Sequence, residues 1–197
     1  MNVKNTKPSL ITDGFFTIIG VDEAGRGALA GPVLAAALIL PNGLIINEVK
    51  DSKKLSAKKR NELACEIKNS AVKFAFGYAY PKEIDEINIL NATMNAMKRA
   101  IDELKPDKDT IALIDGNRIP KMDTAAECIV KGDQNVFIIA AASILVKVER
   151  DKIMDELAKD YPEYGLNKHK GYATKMHYEA IREFGITDIH RKSFRLC

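Results

Sequence analysis

The stretch GVDEAGRGALAGP, residues 20–32, places two acids after an apolar run and ahead of a glycine-rich turn. FFTIIGV (15–21) before it and PVLAAALIL (32–40) after it are short, apolar and rich in β-branched or small residues, so both are predicted strands. The glycine turn joins these strands into a hairpin-like pair. Asp22 and Glu23 therefore fall where the first strand becomes loop.

Two further strands are predicted outside this pair. VKFAFGYAY (72–80) alternates large and small residues, with its aromatic residues on one side, which is typical of a half-buried strand. TIALIDGNR (110–118) is apolar and ends in an acid followed by glycine, which repeats the arrangement at Asp22. AAECIVKGD (125–133) resembles it again, as an apolar segment that ends at Asp133.

Helical patterns lie between and after these strands. Apolar residues recur at steps of three and four from Ile84 to Leu104, and residues 135–161 form a long segment with a very apolar start. Ser56 and Thr174 are expected to cap the N-termini of two other helices. Strands interleaved with helices predict an α/β fold, in which helices flank a mixed central β-sheet and a small helical part follows at the C-terminus.

Length and charge set the outer limits. With 197 residues, 46% of them hydrophobic, the chain is expected to form one compact domain over residues 1–197. Residues 167–197 contain seven Lys or Arg and three Asp or Glu, whereas the first 166 residues contain 23 and 24. A basic helical C-terminal part from about residue 167 predicts a surface that binds a polyanion, although a solvated helix face would give the same pattern.

Cysteines and apolar runs exclude several classes of protein. The three cysteines, Cys65, Cys128 and Cys197, are widely spaced and form no C-x-x-C pair, so neither a disulfide framework nor a zinc site is expected. VFIIAAASILV (136–146) is shorter than the ~20 residues that a bilayer span requires, and the N-terminus lacks the layout of a signal peptide. We expect a cytoplasmic protein with no membrane segment.

Four acids are candidates for one site: Asp22, Glu23, Asp115 and Asp133. If the segments that they end are neighbours in one sheet, their side chains converge at its edge. Clustered carboxylates either share protons or bind a cation, and Mg²⁺ and Mn²⁺ prefer oxygen ligands. Adjacent strand residues point to opposite faces, so Asp22 and Glu23 should both reach one cluster only where the strand bends or ends, which the glycines at 25 and 27 allow.

Two other interpretations of these residues are weaker. The turn reads G-x-G-x-x-x-G, unlike a dinucleotide-binding loop, and Asp22 and Glu23 directly before it would repel a pyrophosphate. The three histidines, His169, His177 and His190, do not have zinc-ligand spacing, so we expect ordinary surface or hydrogen-bonding roles for them.

Several motifs together resemble bacterial ribonuclease HII, of the type 2 ribonuclease H family, from about residue 18 to 195. In chain order they are GVDEAGRG, DSKKLS, EIDEINILNATMNAM, LIDGN, KGD with IAAASI and KVERD, YPEYG, HKGY and HRKSF. This resemblance implies an RNase H-like fold and an endonuclease that cuts the RNA strand of RNA–DNA hybrids and incises at single ribonucleotides embedded in duplex DNA. It implies hydrolysis assisted by two metal ions, Mn²⁺ or Mg²⁺, that leaves a 5′-phosphate and a 3′-hydroxyl.

The same resemblance assigns roles to individual residues. It implies that Asp22, Glu23 and Asp115 bind the metal ions and that Asp133 is the fourth catalytic carboxylate. It implies that the turn of Gly25, Arg26 and Gly27 reads the ribose 2′-hydroxyl through its backbone, with Arg26 able to contact a phosphate. Tyr172 is expected to pack at the RNA-to-DNA junction.

Two rival functions remain open at this point. Ribonuclease HIII is a relative with similar chemistry, but Arg26 in an intact G-R-G and the short segment ahead of the first strand favour ribonuclease HII. A catalytically silent module that binds hybrids is a rival from another class, yet a polyanion binder gains nothing from clustered acids. We expect a monomer whose partners are RNA–DNA hybrids and ribonucleotide-containing duplex DNA.

Overall fold

The computed structural model describes residues 17–49 and 55–196. The first two residues of the predicted first strand, residues 51–54 of the DSKKLS motif and Cys197 lie outside the described residues. Within the described ranges the chain forms a five-stranded sheet with the order β3-β2-β1-β4-β5. The strands are β1 (Thr17–Ala24), β2 (Val33–Ile39), β3 (Lys73–Ala79), β4 (Thr110–Asp115) and β5 (Ala125–Ile129).

The sheet is mixed, as predicted. β1 and β2 form an antiparallel hairpin, and β3 extends it on the far side of β2. β1 also pairs in parallel with β4, which pairs in parallel with β5. The hairpin thus supplies the antiparallel half of the sheet, and the later strands, each reached through a helix or a long connection, supply the parallel half.

Helices cover both faces of this sheet and continue past it. They are α1 (Ala57–Ser70), α2 (Pro81–Glu103), α3 (Gly132–Asn135), α4 (Phe137–Asp160), α5 (Leu166–His169) and α6 (Lys175–Phe184), with a 3₁₀ turn at Pro162–Tyr164. The predicted N-caps are confirmed, because the hydroxyls of Ser56 and Thr174 accept hydrogen bonds from the backbone N–H groups of Lys59 and His177. No helix among the described residues is both long and apolar enough to cross a membrane.

Two apolar layers sandwich the sheet. α2 packs on one face, against alternate residues of β1 and β2 such as Ile19, Val21 and Val33, and α1 and α4 pack on the other, against Leu34 and Leu38. β2 is buried on both sides, which explains its continuous apolar sequence. These layers hold β1 and β4 rigidly side by side.

β3 buries its small residues and leaves its aromatic side partly exposed. Ala75 and Ala79 are buried, whereas Phe74 is 38% exposed. The reason is the close approach of α2, since a Cβ atom added at Gly77 would lie 1.9 Å from the backbone oxygen of Ala96. Small residues on that face therefore let the helix lie against the strand.

Candidate active site

Three carboxylates meet at one end of the parallel strands. The pairing of β1 with β4 ends at Val21 and Ile114, so Asp22 and Asp115 follow side by side. Asp22, Glu23 and Asp115 each offer one oxygen, and these oxygens all lie within 4.8 Å of one another. The structure thus brings together the three residues predicted as metal ligands, here called the carboxylate cluster.

Of the two arrangements that we expected for Asp22 and Glu23, a bend or a strand end, the structure has the second, because β1 ends at Ala24. β1 remains paired with β2 as far as Ala24 and therefore stays regular through both acids. The room in which the acid side chains meet arises from the strand pairing. The pairing of β1 with β4 stops after Val21, whereas the pairing of β1 with β2 continues. Gly25 and Gly27 come after the acids and shape the next turn.

Burial and mutual repulsion disfavour the charged form of these acids. Asp22 is only 6% exposed, and burial first and the negative charge of Glu23 second raise its pKa well above the usual range. Hydrogen bonds from Ser143 and from the N–H of Glu23, which lies 2.7 Å from Oδ1, lower the pKa of Asp22 in part. Burial also raises the pKa of Glu23, against the lowering effect of the Arg26 guanidinium, 3.3 Å from Oε1. A bound divalent cation would relieve this repulsion, and three carboxylate oxygens are a donor set that suits it.

Asp133 joins the site from a helix and not from a strand end. β5 ends at Ile129, and Asp133 lies in the first turn of α3. The N–H groups of Gly132 and Asp133 lie 2.7 and 3.4 Å from Oδ1 of Asp115 and hold that carboxylate in place. Asp133 is buried and lines the same cleft, but it lies outside the group of three oxygens found among the described residues. The sequence pattern placed it near the site and gave it the wrong local structure.

The fold requires a glycine at one of the two glycine positions of the turn, but not at the other. Gly25 has φ +95°, and a Cβ atom there would lie 2.1 Å from Nε of Arg150, so the fold itself requires glycine. At Gly27 an added Cβ would meet no atom within 4 Å. Packing therefore does not explain Gly27, which lines the same cleft as the acids.

Two buried arginines hold the turn from below. Arg150 and Arg191 are at most 1% exposed, and their hydrogen bonds in the described structure go to backbone carbonyls. Arg150 donates to the carbonyls of Ala30, Pro32 and Lys170, and Arg191 donates to those of Arg26 and Gly31. Burial first and the charge of Arg150 second lower the pKa of Arg191 to about 9. These cations fix the glycine turn and add positive potential beneath it.

The acids, the glycine turn and Tyr172 line one cleft of about 300 Å³. Tyr172 is 36% exposed, forms a backbone bridge with Ala28, and lies with its ring centroid 5.2 Å from the Arg150 guanidinium carbon. Ser143 and Lys147 of α4 also line this cleft. The structure thus places every residue predicted for the site around a single opening.

Sequence reasoning missed Ser143, Lys147, Arg150 and Arg191. One signal was available, since Lys147 and Arg150 are the first basic residues after the apolar run of α4, and an arginine buried there must find partners. Two of its three carbonyl partners, Ala30 and Pro32, are more than 100 residues away in the chain, so the role of Arg150 could not be read from its neighbours.

The fold and the carboxylate cluster define the class of the protein. A mixed sheet flanked by helices, with clustered acids at the ends of β1 and β4, is that of an RNase H-like, divalent-metal-dependent hydrolase. The family model for ribonuclease HII matches residues 19–197. The chain belongs to the ribonuclease HII family, and it is an endoribonuclease of RNA–DNA hybrids.

Known relatives agree with this family. Ribonuclease HII of Vibrio parahaemolyticus is 54% identical over 182 residues, which cover 92% of this chain and 86% of the relative. The ribonuclease HII chain in a solved complex with PCNA from Archaeoglobus fulgidus has a TM-score of 0.79 at 28% identity and covers 92% of this chain and 96% of its own. Ribonuclease H2 from Pyrococcus horikoshii has a TM-score of 0.75 at 25% identity, covering 92% of this chain and 95% of its own.

Proposed function

We propose that this enzyme cuts the RNA strand of hybrids and also incises duplex DNA on the 5′ side of a single embedded ribonucleotide. The products are a 5′-phosphate and a 3′-hydroxyl. One observation carries the proposal: the carboxylate cluster and the turn of Gly25, Arg26 and Gly27 share one cleft. A group that reads a ribose therefore lies next to the groups that would cleave its phosphate.

The carboxylates would bind the catalytic ions. Asp22, Glu23 and Asp115 would hold them, and Asp133 would add negative charge at the rim. When bound, two Mn²⁺ or Mg²⁺ ions supply an acidified water and stabilise the charge that develops on the leaving 3′-oxygen. Ser143 donates to Asp22 and the α3 backbone donates to Asp115, so both carboxylates are oriented before any ion arrives.

The glycine turn would select a ribonucleotide. The 2′-hydroxyl is what distinguishes a ribonucleotide from a deoxyribonucleotide, and it both donates and accepts hydrogen bonds. The open space at Gly27 lets backbone groups approach a sugar that a side chain would block. Arg26, half exposed beside Glu23, can exchange that ion pair for a substrate phosphate.

Tyr172 would select the following deoxyribonucleotide. Its ring has Arg150 on one side and is partly open to the cleft. A deoxyribose fits against such a ring, whereas a 2′-hydroxyl there would lose its water without gaining a partner. The enzyme would then prefer RNA-to-DNA junctions. We further propose that it acts as a monomer in the cytoplasm, where the nucleic acid of a bacterium lies.

The test uses a labelled duplex with one ribonucleotide and a matched all-RNA hybrid, each with EDTA, Mg²⁺ or Mn²⁺. We expect metal-dependent incision of both, and on the single-ribonucleotide duplex a 3′-hydroxyl that a DNA polymerase extends. Cleavage of the hybrid alone would contradict the single-ribonucleotide proposal and favour an enzyme that acts like ribonuclease HIII. Binding of both duplexes without cleavage would indicate a silent hybrid-binding module.

A further inference from the structure

The histidines of the chain, which spacing left without a role, lie together in the C-terminal part. The rings of His169 and His177 stack with centroids 4.5 Å apart, and Nε2 of His177 lies 3.3 Å from Nε2 of His190. His177 and His190 are 0% and 1% exposed. We call the contact between His177 and His190 the histidine lock.

Hydrogen-bond partners fix which nitrogen of each ring carries the proton. The backbone N–H of Thr187 lies 3.0 Å from Nδ1 of His190 and can only donate, so Nδ1 accepts and the proton of His190 is on Nε2. That proton is donated to Nε2 of His177, which must therefore accept. The proton of His177 is then on Nδ1 and is donated to the carbonyl of Tyr172, 3.1 Å away. Both rings are neutral, and each has one allowed tautomer.

Surrounding groups keep these rings neutral. Burial, helped by the nearby rings of His169 and His190, lowers the pKa of His177 to about 4, against the raising effect of its hydrogen bond to the carbonyl of Tyr172. Burial likewise lowers the pKa of His190, against the raising effect of the negative charge of Asp188. His169 has its own partners, since it accepts from Gly171 N–H and faces the carbonyl of Tyr164.

The lock connects the two chain segments that flank residues 28–31, which directly follow the glycine turn. On one side, Leu29 N–H donates to the carbonyl of Gly171, next to Tyr172. On the other side, Gly31 N–H donates to the carbonyl of Ile189, and Arg191 N–H donates to that of Leu29. Residues 28–31 therefore lie between the segments 171–172 and 189–191. The contact between the two imidazoles links these segments to each other directly.

We infer that His177 and His190 are positioning residues, which hold Tyr172 at a fixed distance from the glycine turn so that both neighbouring sugars are read together. Neither ring lines the cleft, so each acts through Tyr172. This inference rests on the proposed junction role of Tyr172. Loss of the lock should thus resemble loss of the tyrosine in substrate choice while the carboxylate cluster stays intact.

The kinetic test is a double-mutant cycle on two substrates. His177→Phe keeps an aromatic ring, although a larger one, and removes both hydrogen bonds, and we expect kcat on the single-ribonucleotide duplex to fall about ten-fold, with a change of under about two-fold on the all-RNA hybrid. Tyr172→Ala should show the same selectivity, and adding His177→Phe to it should cause no further loss. Tyr161→Phe removes a hydrogen bond to Asp188 in the same part of the chain and should leave the substrate ratio unchanged.

The outcomes separate the two claims. Tyr172→Ala could reduce kcat on the single-ribonucleotide duplex selectively, and the double variant could then lose the full further factor that His177→Phe causes alone. In that case the lock does not act through Tyr172 and the inference is wrong. If Tyr172→Ala reduces both substrates equally, the junction role itself is wrong. Should His177→Phe not fold, His177→Asn retains a donor near Nδ1 and should keep more of the selectivity than His177→Ala.

A spectroscopic test is independent of activity. Nitrogen-15 chemical shifts of labelled histidines at pH 7 should show His177 protonated on Nδ1 and His190 on Nε2, with both rings neutral. His177→Phe should leave Nδ1 of His190 as an acceptor. A charged His177, or one protonated on Nε2, would overturn the lock even if the enzyme cleaved every substrate as proposed.

Discussion

The carboxylate cluster and the histidine lock bury polar groups on two sides of the same glycine turn, and they satisfy them in opposite ways. Asp22, Glu23 and Asp115 share one sign of charge, and burial raises the pKa of Asp22 and Glu23. His177 and His190 are neutral, and each nitrogen in the lock has a partner within the chain. The cluster therefore suits the binding of a cation, whereas the lock holds two segments of the chain together.

This difference has a thermodynamic consequence. Groups held in an unfavourable charge state lower the stability of the metal-free protein and raise its affinity for a cation. Groups with satisfied hydrogen bonds add to stability and leave nothing for a ligand to improve. Substitutions in the two regions should therefore have opposite effects on folding, even where both reduce activity.

The largest expected effect is at the carboxylates. Asp22→Asn and Asp115→Asn should each reduce cleavage of a hybrid by about 10³-fold or more, because asparagine keeps the shape and removes the charge that holds the ion. Initial rates at saturating Mn²⁺ would measure this. Asp123→Asn, an exposed acid outside the cleft, is the matched control and should cleave normally. A variant at Asp22 or Asp115 within a few-fold of wild type would not have lost a metal ligand.

Asp22→Asn, which should reduce cleavage, should at the same time increase the stability of the metal-free protein. The folded state raises its pKa, so the free energy of unfolding falls as pH rises from about 3.8 through the folded-state pKa, and the loss is complete above it. Asp22→Asn removes this loss, and in EDTA at pH 7 its Tm should rise by about 2–4 °C for each kcal/mol recovered. Mn²⁺ should raise the Tm of wild type more than that of the variant.

Substitutions at the two glycines of the turn should affect stability and cleavage differently. Gly25→Ala has both a disallowed φ and a clash with Arg150, so we expect a loss of several kcal/mol, on the order of 2–4, in the free energy of unfolding. Gly27→Ala should change that free energy by less than about 0.5 kcal/mol, since its Cβ meets open space. It should nevertheless reduce cleavage about 10²-fold by blocking the sugar. Denaturant titration and initial rates on both variants would check this, and normal cleavage by Gly27→Ala would show that no sugar approaches there.

The histidine lock should appear in the pH dependence of stability. The pKa of His177 is about 4 when folded and about 6.5 when unfolded, so only the unfolded chain binds this proton between those values. The free energy of unfolding therefore falls as pH falls from 6.5 to 4, by at most about 3 kcal/mol from this residue. His177→Phe should lack this part of the slope while sharing the carboxylate titrations. Parallel curves for the two proteins would show that His177 is not a buried neutral ring.

The smallest expected effect is electrostatic. Lys168 is exposed and Lys175 makes only a loose pair with Glu179, whereas Lys170 is bound to Asp155, so the first two are more available to a polyanion than Lys170. Replacing both with Gln should weaken hybrid binding a few-fold and reduce its salt slope by up to about 2. The positions cut should not change. An equal change after replacing Lys105 and Lys108, near the other end of β4, would show that net charge alone is responsible.

Structural features that depend on residues close together in the chain could be predicted from the sequence. The hairpin of β1 and β2, the caps at Ser56 and Thr174, and the acids that follow apolar runs all follow from local patterns. The kink in α2, where Asn88 has φ +67°, was missed because the apolar stripe continues through it. The buried face of β3 depends on how closely α2 approaches, which its alternation does not reveal.

The support of the site could not be predicted for a physical reason. Arg150 and Arg191 bind carbonyls 20 to 165 residues away, and a backbone carbonyl has no sequence signature. His177 and His190 are 13 residues apart and meet only because the chain wraps around residues 28–31. The clustered acids are visible in the sequence because binding a cation requires particular residue types, whereas the groups that support the neighbouring backbone are defined only by their contacts.

The most direct measurement compares incision of three duplexes that differ at one sugar, which is ribose, 2′-deoxyribose or 2′-fluoro-2′-deoxyribose, in saturating Mn²⁺. Because the carboxylate cluster lies beside the turn that we propose reads the 2′-hydroxyl, we predict incision on the 5′ side of the ribose and rates at least about 10³-fold lower for the other two sugars. Comparable incision of the deoxyribose duplex would contradict it, because the carboxylates would then act without the neighbouring sugar sensor.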